Sequence, residues 1–164
     1  MSEKLARLAV QSLRTNMFQD LPADIRKMFP LIADPLVEGA ESVPAIVVGD
    51  YQDYGANAAS PMICVTAEGA TEGIVNVYRH ITLRVTMWVG GDKVTNVDGR
   101  RIVSIIYEAV FQNLCNTNWT GNGISIQRSY EIERSKILFE PTAKTYRIEN
   151  TYRVEAIAVG ATWY

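Results

Sequence analysis

The sequence predicts an α+β fold: an antiparallel or mixed β-sheet with a long β-hairpin, flanked by helices on one face. Three observations predict it. From Val75 to Val89 the odd positions are apolar (Val75, Val77, Ile81, Leu83, Val85, Met87, Val89) except at Arg79, while the even positions carry Asn76, Tyr78, His80, Thr82, Arg84, Thr86 and Trp88. Period two sends successive side chains to opposite faces of a strand, so this run has one face on a core. A second alternation runs from Thr145 to Val159, with Tyr146, Ile148, Asn150, Tyr152, Val154, Ala156 and Ala158 set against Arg147, Glu149, Thr151, Arg153 and Glu155. Between them Ile102, Ile106, Ala109, Val110 and Leu114, widened by Val103 and Ile105, make the apolar stripe of one helix. Strands and helices that do not alternate as βαβ units place the helical layer against an antiparallel sheet.

Residues 2–16 read as an amphipathic helix, because Leu5, Leu8, Ala9 and Leu13 recur three and four apart while Arg7, Gln11 and Arg14 take the rest of its surface. A shorter helix suits Pro22 to Phe29, with proline in the first turn, Asp24 at the positive end, and Pro30 and Pro35 stopping it. Val43 to Val48 is a β-branched run that begins at a sheet edge because Pro44 cannot donate to a ladder. The polar stretch Tyr51 to Ser60 reads as a loop, Pro61 to Ala67 as a short strand, and Glu68 to Gly73 as the turn that leads into the long strand.

Gly90-Gly91-Asp92 ends that strand, and Thr95 with Asp98 three residues on forms a reciprocal cap. The core helix then spans about 96–114, until Asn116-Thr-Asn118 and Gly121-Asn-Gly123 break it. Gly99 costs it about 1 kcal/mol relative to alanine, which is tolerable near a first turn. Ile124 to Ser135 is a further strand, Lys136 to Thr142 a connecting segment, and the last alternation, about 145–159, closes a single domain over residues 1–164.

At about 3.3 Å per residue the run 75–89 would reach roughly 50 Å. A compact domain of this length is near 40 Å across. The strand is therefore expected to project as a ribbon toward a partner.

Sixteen Lys plus Arg against eighteen Asp plus Glu give a net charge of −2, and residues 1–60, 61–120 and 121–164 sum to −3, 0 and +1. Such an even spread argues against a protein that finds nucleic acid by electrostatic attraction. No stretch approaches the roughly twenty apolar residues needed to span a bilayer. The N-terminus, with Glu3, Lys4 and Arg7, lacks a signal-peptide core, so folding in cytoplasm is expected. Cys64 and Cys115 stand in apolar surroundings and read as buried thiols rather than a disulfide.

The single histidine, His80, would have to serve as the base for any serine or cysteine nucleophile, and it lies mid-strand. Glu131 and Glu133, two apart on a strand, share one sheet face at that spacing and are the best candidates for metal-dependent hydrolysis, though a third acid and a basic groove are missing. No Walker or dinucleotide pattern occurs, and Asp50 to Asp53 has the wrong spacing for a calcium loop. The expectation is a non-enzymatic chain with no catalytic residue, cofactor or metal. Aromatic residues point elsewhere: Tyr51, Tyr54, Tyr78, Trp88, Trp119, Trp163 and Tyr164 fall in loops, on the polar strand face or at the terminus, where interface anchors sit. The interface candidates are Tyr51, Tyr54, Tyr78, His80, Arg84 and Trp88.

The order of elements carries a resemblance. A leading helix, the Val43-Pro-Ala-Ile-Val-Val48 strand, a loop, Pro61-Met-Ile-Cys-Val65, then His80-Ile-Thr-Leu-Arg-Val-Thr-Met-Trp88 followed by glycines, a core helix and two closing strands resemble the tail terminator proteins of tailed bacteriophages over nearly the whole chain. The resemblance implies a virion structural protein of the tail and neck, assembled in the host cytoplasm. Such a protein forms a hexameric ring that caps the growing tail tube, stops its polymerisation and presents its other face to the head-closure protein. The partners implied are further copies of the chain, the tail tube protein, the neck protein and a sheath protein, with DNA passing through the lumen without specific binding and no membrane. The alternatives are another neck, tail-completion or baseplate protein and, from different classes, a small metal-dependent hydrolase or nuclease using Glu131 and Glu133, or a small-molecule-binding domain.

Overall fold

The computed structural model describes residues 2–34, 38–39, 41–50, 60–72, 78–90, 96–116, 119, 121, 123–142 and 144–158. In chain order their elements are helix α1 (Ser2–Ser12), continued by a π-helical turn (Leu13–Met17) and Phe18–Asp20; the short helix α2 (Ala23–Arg26); strands β1 (Leu31–Ala33), β2 (Ser42–Pro44), β3 (Ile46–Val48), β4 (Met62–Glu72) and β5 (Tyr78–Gly90); the long helix α3 (Asn96–Cys115); and strands β6 (Ile124–Arg134), β7 (Leu138–Glu140) and β8 (Thr145–Ala158). β1 and β2 form a separate antiparallel ribbon. The other six strands make one sheet in the order β3-β4-β5-β8-β6, with β7 also pairing with β8. Every ladder is antiparallel except β3 with β4, so the sheet is mixed and the fold is α+β.

The two alternating runs lie side by side at the centre of the sheet. β5 pairs with β8 without a break, from Tyr78 opposite Ile157 to Gly90 opposite Thr145. On one face Ile81, Leu83, Val85, Met87 and Val89 of β5 meet Tyr146, Ile148, Tyr152, Val154 and Ala156 of β8. Leu5, Leu8, Ala9 and Leu13 from the first helix, and Ile102, Ile106, Val110 and Leu114 from α3, close over that face and bury it. Each Val, Leu, Ile or Met among them, taken fully out of water, contributes about 1.5–3 kcal/mol.

The expected projection is corrected here. β5 is an interior strand, paired with β8 from Tyr78 to Gly90 and with β4 from Arg79 to Trp88, so the long axis of the sheet absorbs the length. Positions 75–77 lie outside the described residues, as do Thr95 and Val159. The turn expected at Glu68–Gly73 is instead strand through Glu72, with a bulge between Glu68 and Ala70. Gly69 sits in that bulge at φ +51°, a left-handed conformation that glycine adopts without a Cβ clash. The segment Lys136–Thr142, read as a connection, contains β7, and the single strand expected over 43–48 divides into β2 and β3 around Ala45.

The opposite face of the sheet holds a second, smaller core. Ala45, Val47, Met62, Cys64 and Trp88 pack together there, with Ile32 of β1 against them. Residues of β3 and β4 therefore point alternately into two cores, Ile46, Ile63 and Val65 into the large one and Val47, Met62 and Cys64 into the small one. Burial on both faces explains why Ala45–Val48 and Met62–Val65 read as unbroken apolar runs rather than alternations. Arg14, expected on the outer surface of the first helix, bridges the two layers: its Nε donates to the Ile46 carbonyl at 2.9 Å and its Nη1 to Asp34 at 2.7 Å.

Gly99 has a packing reason that propensity alone does not reveal. A Cβ built on it would lie 2.3 Å from Cδ2 of Tyr146, whose ring rests on the helix backbone at that point. Gly99→Ala is expected to lower stability by about 1–2 kcal/mol despite alanine's better helix propensity. Tyr146→Leu in the same chain should give a combined loss smaller than the sum of the two, which urea unfolding of both single variants and the double variant measures.

Candidate functional site

The face of the sheet turned away from the helices is the candidate site. Beyond the small core at its Trp88 end it is polar, because it collects the even residues of β5 and the odd residues of β8: His80, Thr82, Arg84 and Thr86 beside Arg147, Glu149, Thr151, Arg153 and Glu155. Polar and charged side chains on this face lie within reach of one another. His80 faces Glu155 in the β5–β8 register, with Nδ1 3.7 Å from Oε1. Arg84 reaches Glu68 of β4 at 3.4 Å, and Arg147 lies 3.2 Å from Glu149 and 4.0 Å from Glu140. Arg128 of β6 stacks over the Tyr130 ring at 4.5 Å. A shallow concavity of about 430 Å³ opens on this face among Asp50, Arg84, Thr86, Glu133, Ser135, Glu149 and Thr151.

Of the interface candidates, His80 and Arg84 stand on this face, with Arg84 exposed. Tyr78 opens β5 beneath them in the ladder. Tyr51 and Tyr54 lie outside the described residues, as do Trp163 and Tyr164. Trp88 corrects the expectation of an exposed anchor: it is 1% exposed, because the β1–β2 side of the molecule covers that end of the face. Trp119 is likewise buried, its Nε1 donating to the Leu114 carbonyl at 3.1 Å. Cys64 is buried and Cys115 half-buried, both as free thiols.

The acidic pair does not share a face. A bulge in β6 sets Glu131 opposite Tyr152 but Glu133 opposite Thr151, which are consecutive residues of β8 and point to opposite sides. Glu133 lines the concavity on the open face, whereas Glu131 turns toward α3. There its Oε2 accepts from Tyr107 Oη at 2.7 Å and from Asn150 Nδ2 at 3.2 Å, and Arg134 donates to Tyr107 Oη at 3.2 Å. The two carboxylates proposed for metal-dependent hydrolysis are thus on different sides of the sheet. Among the described residues no group of three or more His, Cys, Asp or Glu side chains is placed to hold a metal ion.

The cluster around Glu131 was not expected from the sequence. Its signal is Asn150, a polar residue in the otherwise apolar series Tyr146, Ile148, Tyr152, Val154, and a buried amide of this kind has hydrogen-bond partners. Asn150 also donates to Tyr152 Oη. Burial, and then the neighbouring Glu131 carboxylate, push Tyr152 well above the usual tyrosine range. Tyr107 is raised by its burial and then by its hydrogen bond to Glu131, and burial also raises the Cys115 thiol. The Tyr107–Glu131 hydrogen bond ties α3 to β6, and Asn150, itself bonded to Tyr152, joins Glu131 to β8.

On the helical side a groove of about 680 Å³ runs between the first helix and α3. Ser12, Asn16, Gln112, Asn113, Asn116 and Trp119 are among its lining residues. Ser12 Oγ accepts from Asn113 Nδ2 at 3.0 Å and anchors the π-helical turn to α3. Among the described residues no helix is long and apolar enough to cross a membrane.

No protein-family model matches the chain, and a search of curated proteins gives no match. The fold does have a solved counterpart. A chain of the virion of native gene transfer agent (GTA) particle superposes with a TM-score of 0.58 at 14% identity, over 93% of this chain and 94% of that one. At that identity the likeness is one of fold, over nearly the full length of both chains.

The raised tyrosines fix a pH dependence. In the unfolded chain both phenols ionise near pH 10, whereas the folded chain keeps their protons to higher pH. Above pH 10 the unfolded state therefore binds fewer protons, and stability falls as pH rises, by up to about 1.4 kcal/mol per pH unit for each tyrosine. Tyr152→Phe is expected to cost about 1 kcal/mol at pH 7, through the lost Asn150 hydrogen bond, and to flatten the decline above pH 10. Urea midpoints from pH 7 to 11.5 measure both effects.

Proposed function

We propose that this chain is a structural protein of a phage-type virion, a tail terminator that assembles as a ring, hexameric in the simplest form, on the end of the tail tube. The observation that carries the proposal is the fold likeness to a virion-particle chain across nearly the full length of both. The geometry of the open face supports it. A broad polar surface carrying exposed charges such as Arg84 and Glu68 supports the reading, since charged groups facing each other across an interface set orientation and register more than raw affinity. The division of Glu131 and Glu133 between two sides of the sheet removes the feature that had favoured a metal-dependent hydrolase.

In this reading the ring stops tube polymerisation on one side and receives the neck protein on the other. The chain acts through shape and surface, with no catalytic residue, cofactor or metal. The near-balanced charge suits a lumen that passes DNA without gripping its phosphates.

The purified chain is expected to sediment well above its 18.3 kDa monomer mass and to show ring-shaped particles by negative-stain electron microscopy. Added to polymerising tail tube protein, it should shorten the tubes in proportion to its concentration. A strict monomer at high concentration, with no effect on tube length, would overturn the proposal.

A further inference from the structure

Two helix C-termini converge on the groove between the first helix and α3. The first helical run ends at Asp20 and α3 at Cys115, and Asn16, Asp20, Gln112, Asn113 and Asn116 line the groove at those ends. The C-terminal end of a helix carries partial negative charge, which lysine or arginine in the last turn can offset. Here neither last turn holds a basic residue, and the first run closes instead on exposed Asp20, which has no ion-pair partner among the described residues. Glu108, also exposed, lines the same groove, and none of the lining residues is basic. Arg134 and Lys136 approach Glu108 from a second concavity of about 360 Å³ on the β6 side, where Arg134 donates to Tyr107 Oη at 3.2 Å. The uncompensated negative potential is therefore concentrated at the Asp20 end.

The polar rim of the groove is made of carboxamides, each of which offers a donor and an acceptor, the same pair that a peptide group presents. Gln112 and Asn116 are exposed and make no side-chain hydrogen bond among the described residues. Asn16 and Asn113 give their Nδ2 groups to Ser12 Oγ at 3.4 and 3.0 Å, which leaves their carbonyl oxygens as acceptors. The floor is apolar: Ile105 and Ala109 are half-buried, and Leu21 and Trp119 are buried. An extended segment sends alternate side chains to opposite sides and has unpaired main-chain groups. It can therefore set apolar side chains on this floor while its peptide groups meet the carboxamides. A helix satisfies its main chain internally and makes no such match.

We infer that this groove is the docking site for an extended, lysine- or arginine-bearing segment of another protein. Asn16, Gln112 and Asn116 meet its main chain, and Asp20, the two helix ends and Glu108 meet its positive charge. Charge names the class of partner, since the groove offers two carboxylates and two negative helix ends and has no cation among its lining residues. A second copy is the poorer match, because the described strands of this chain already have main-chain groups engaged in ladders. At about 680 Å³ the groove falls within the roughly 300–1,000 Å³ of ligand clefts, room for a short segment rather than a folded domain. The site lies on the helical side of the molecule, away from the open sheet face, and does not depend on the ring reading.

An array of random heptapeptides, acetylated and amidated to remove their terminal charges and probed with the labelled full chain, tests it. The peptides retained are expected to be enriched in lysine and arginine and depleted in aspartate and glutamate. Fluorescence anisotropy then gives the affinity of the tightest of them for the unaltered chain and for two variants. Asp20→Lys is expected to weaken binding about tenfold while the urea midpoint holds or rises, because a cation at a helix C-terminal end favours the fold. Gln112→Ala, at an exposed position of α3 where alanine is the better helix former, should weaken binding about three- to fivefold through a lost main-chain hydrogen bond. Methylating the main-chain nitrogens of the same peptide should weaken it further. An array that retains no peptide, retained peptides without basic enrichment, or an affinity that Asp20→Lys leaves unchanged overturns the inference. So does a methylated peptide that binds as well as its parent, or spermidine that displaces the peptide at equal concentration, since either reduces the site to a trap for loose cations. If Asp20→Lys changes the sedimentation of the chain and leaves peptide binding intact, the groove belongs to a contact between copies and the inference is likewise overturned.

Discussion

The ladder between β5 and β8 is the constraint on which the rest of the molecule depends. It keeps one register for thirteen residues, Tyr78 to Gly90, and each of its strands is paired on the other side as well. A slip by one residue would carry Leu83 and Tyr152 out of the large core and bring Arg84 and Arg153 into it. The end of the ladder is pinned by close approach. A Cβ on Gly90 would stand 2.7 Å from the Lys144 carbonyl oxygen and 2.8 Å from Thr145 Cα, so only glycine lets the two strands meet there. From that end Tyr146 reaches back under Gly99 and fixes where α3 crosses the sheet.

Much of this framework was legible in the sequence because its signals are local. Alternation located β5 and β8 to within a few residues, and the spacing of Ile102, Ile106, Val110 and Leu114 located α3. What escaped depends on the partner strand or on a second layer. Gly69 and the Glu131–Glu133 pair look like ordinary turn and strand residues until the facing strand shows where an extra residue is inserted. Trp88 continues the polar alternation in sequence, yet it is buried, because Ile32, Ala45 and Val47, about 40 to 55 residues earlier, pack onto its face. Arg14 reads as a surface cation until Asp34 and the Ile46 carbonyl are brought beside it.

The same dependence governs the candidate site. The side of the sheet on which His80 and Arg84 stand follows from period two alone, since β5 pairs with β8 without a bulge. The acidic pair was misplaced for the converse reason: spacing predicts a shared face only in an unbulged strand. One inserted residue sent Glu133 to the charged open face and Glu131 into a hydrogen-bonded cluster under α3. Polar residues thus serve two unlike purposes on the two sides of a single sheet, internal bracing on one and surface pattern on the other.

The widened turn at Leu13–Met17 applies the same device to a helix. The Phe18 amide donates to the Leu13 carbonyl, five residues back, where a regular helix would reach back four. Its effect is one of phase. A helix advances about 100° per residue, so the extra residue rotates everything before it by that amount relative to everything after. With the turn in place Leu5, Leu8 and Ala9 upstream and Met17 and Leu21 downstream all face the same core. Straightened to a regular helix, the segment could satisfy one half of the stripe or the other. The wide turn is the clutch that lets a single N-terminal segment engage both the sheet and α3.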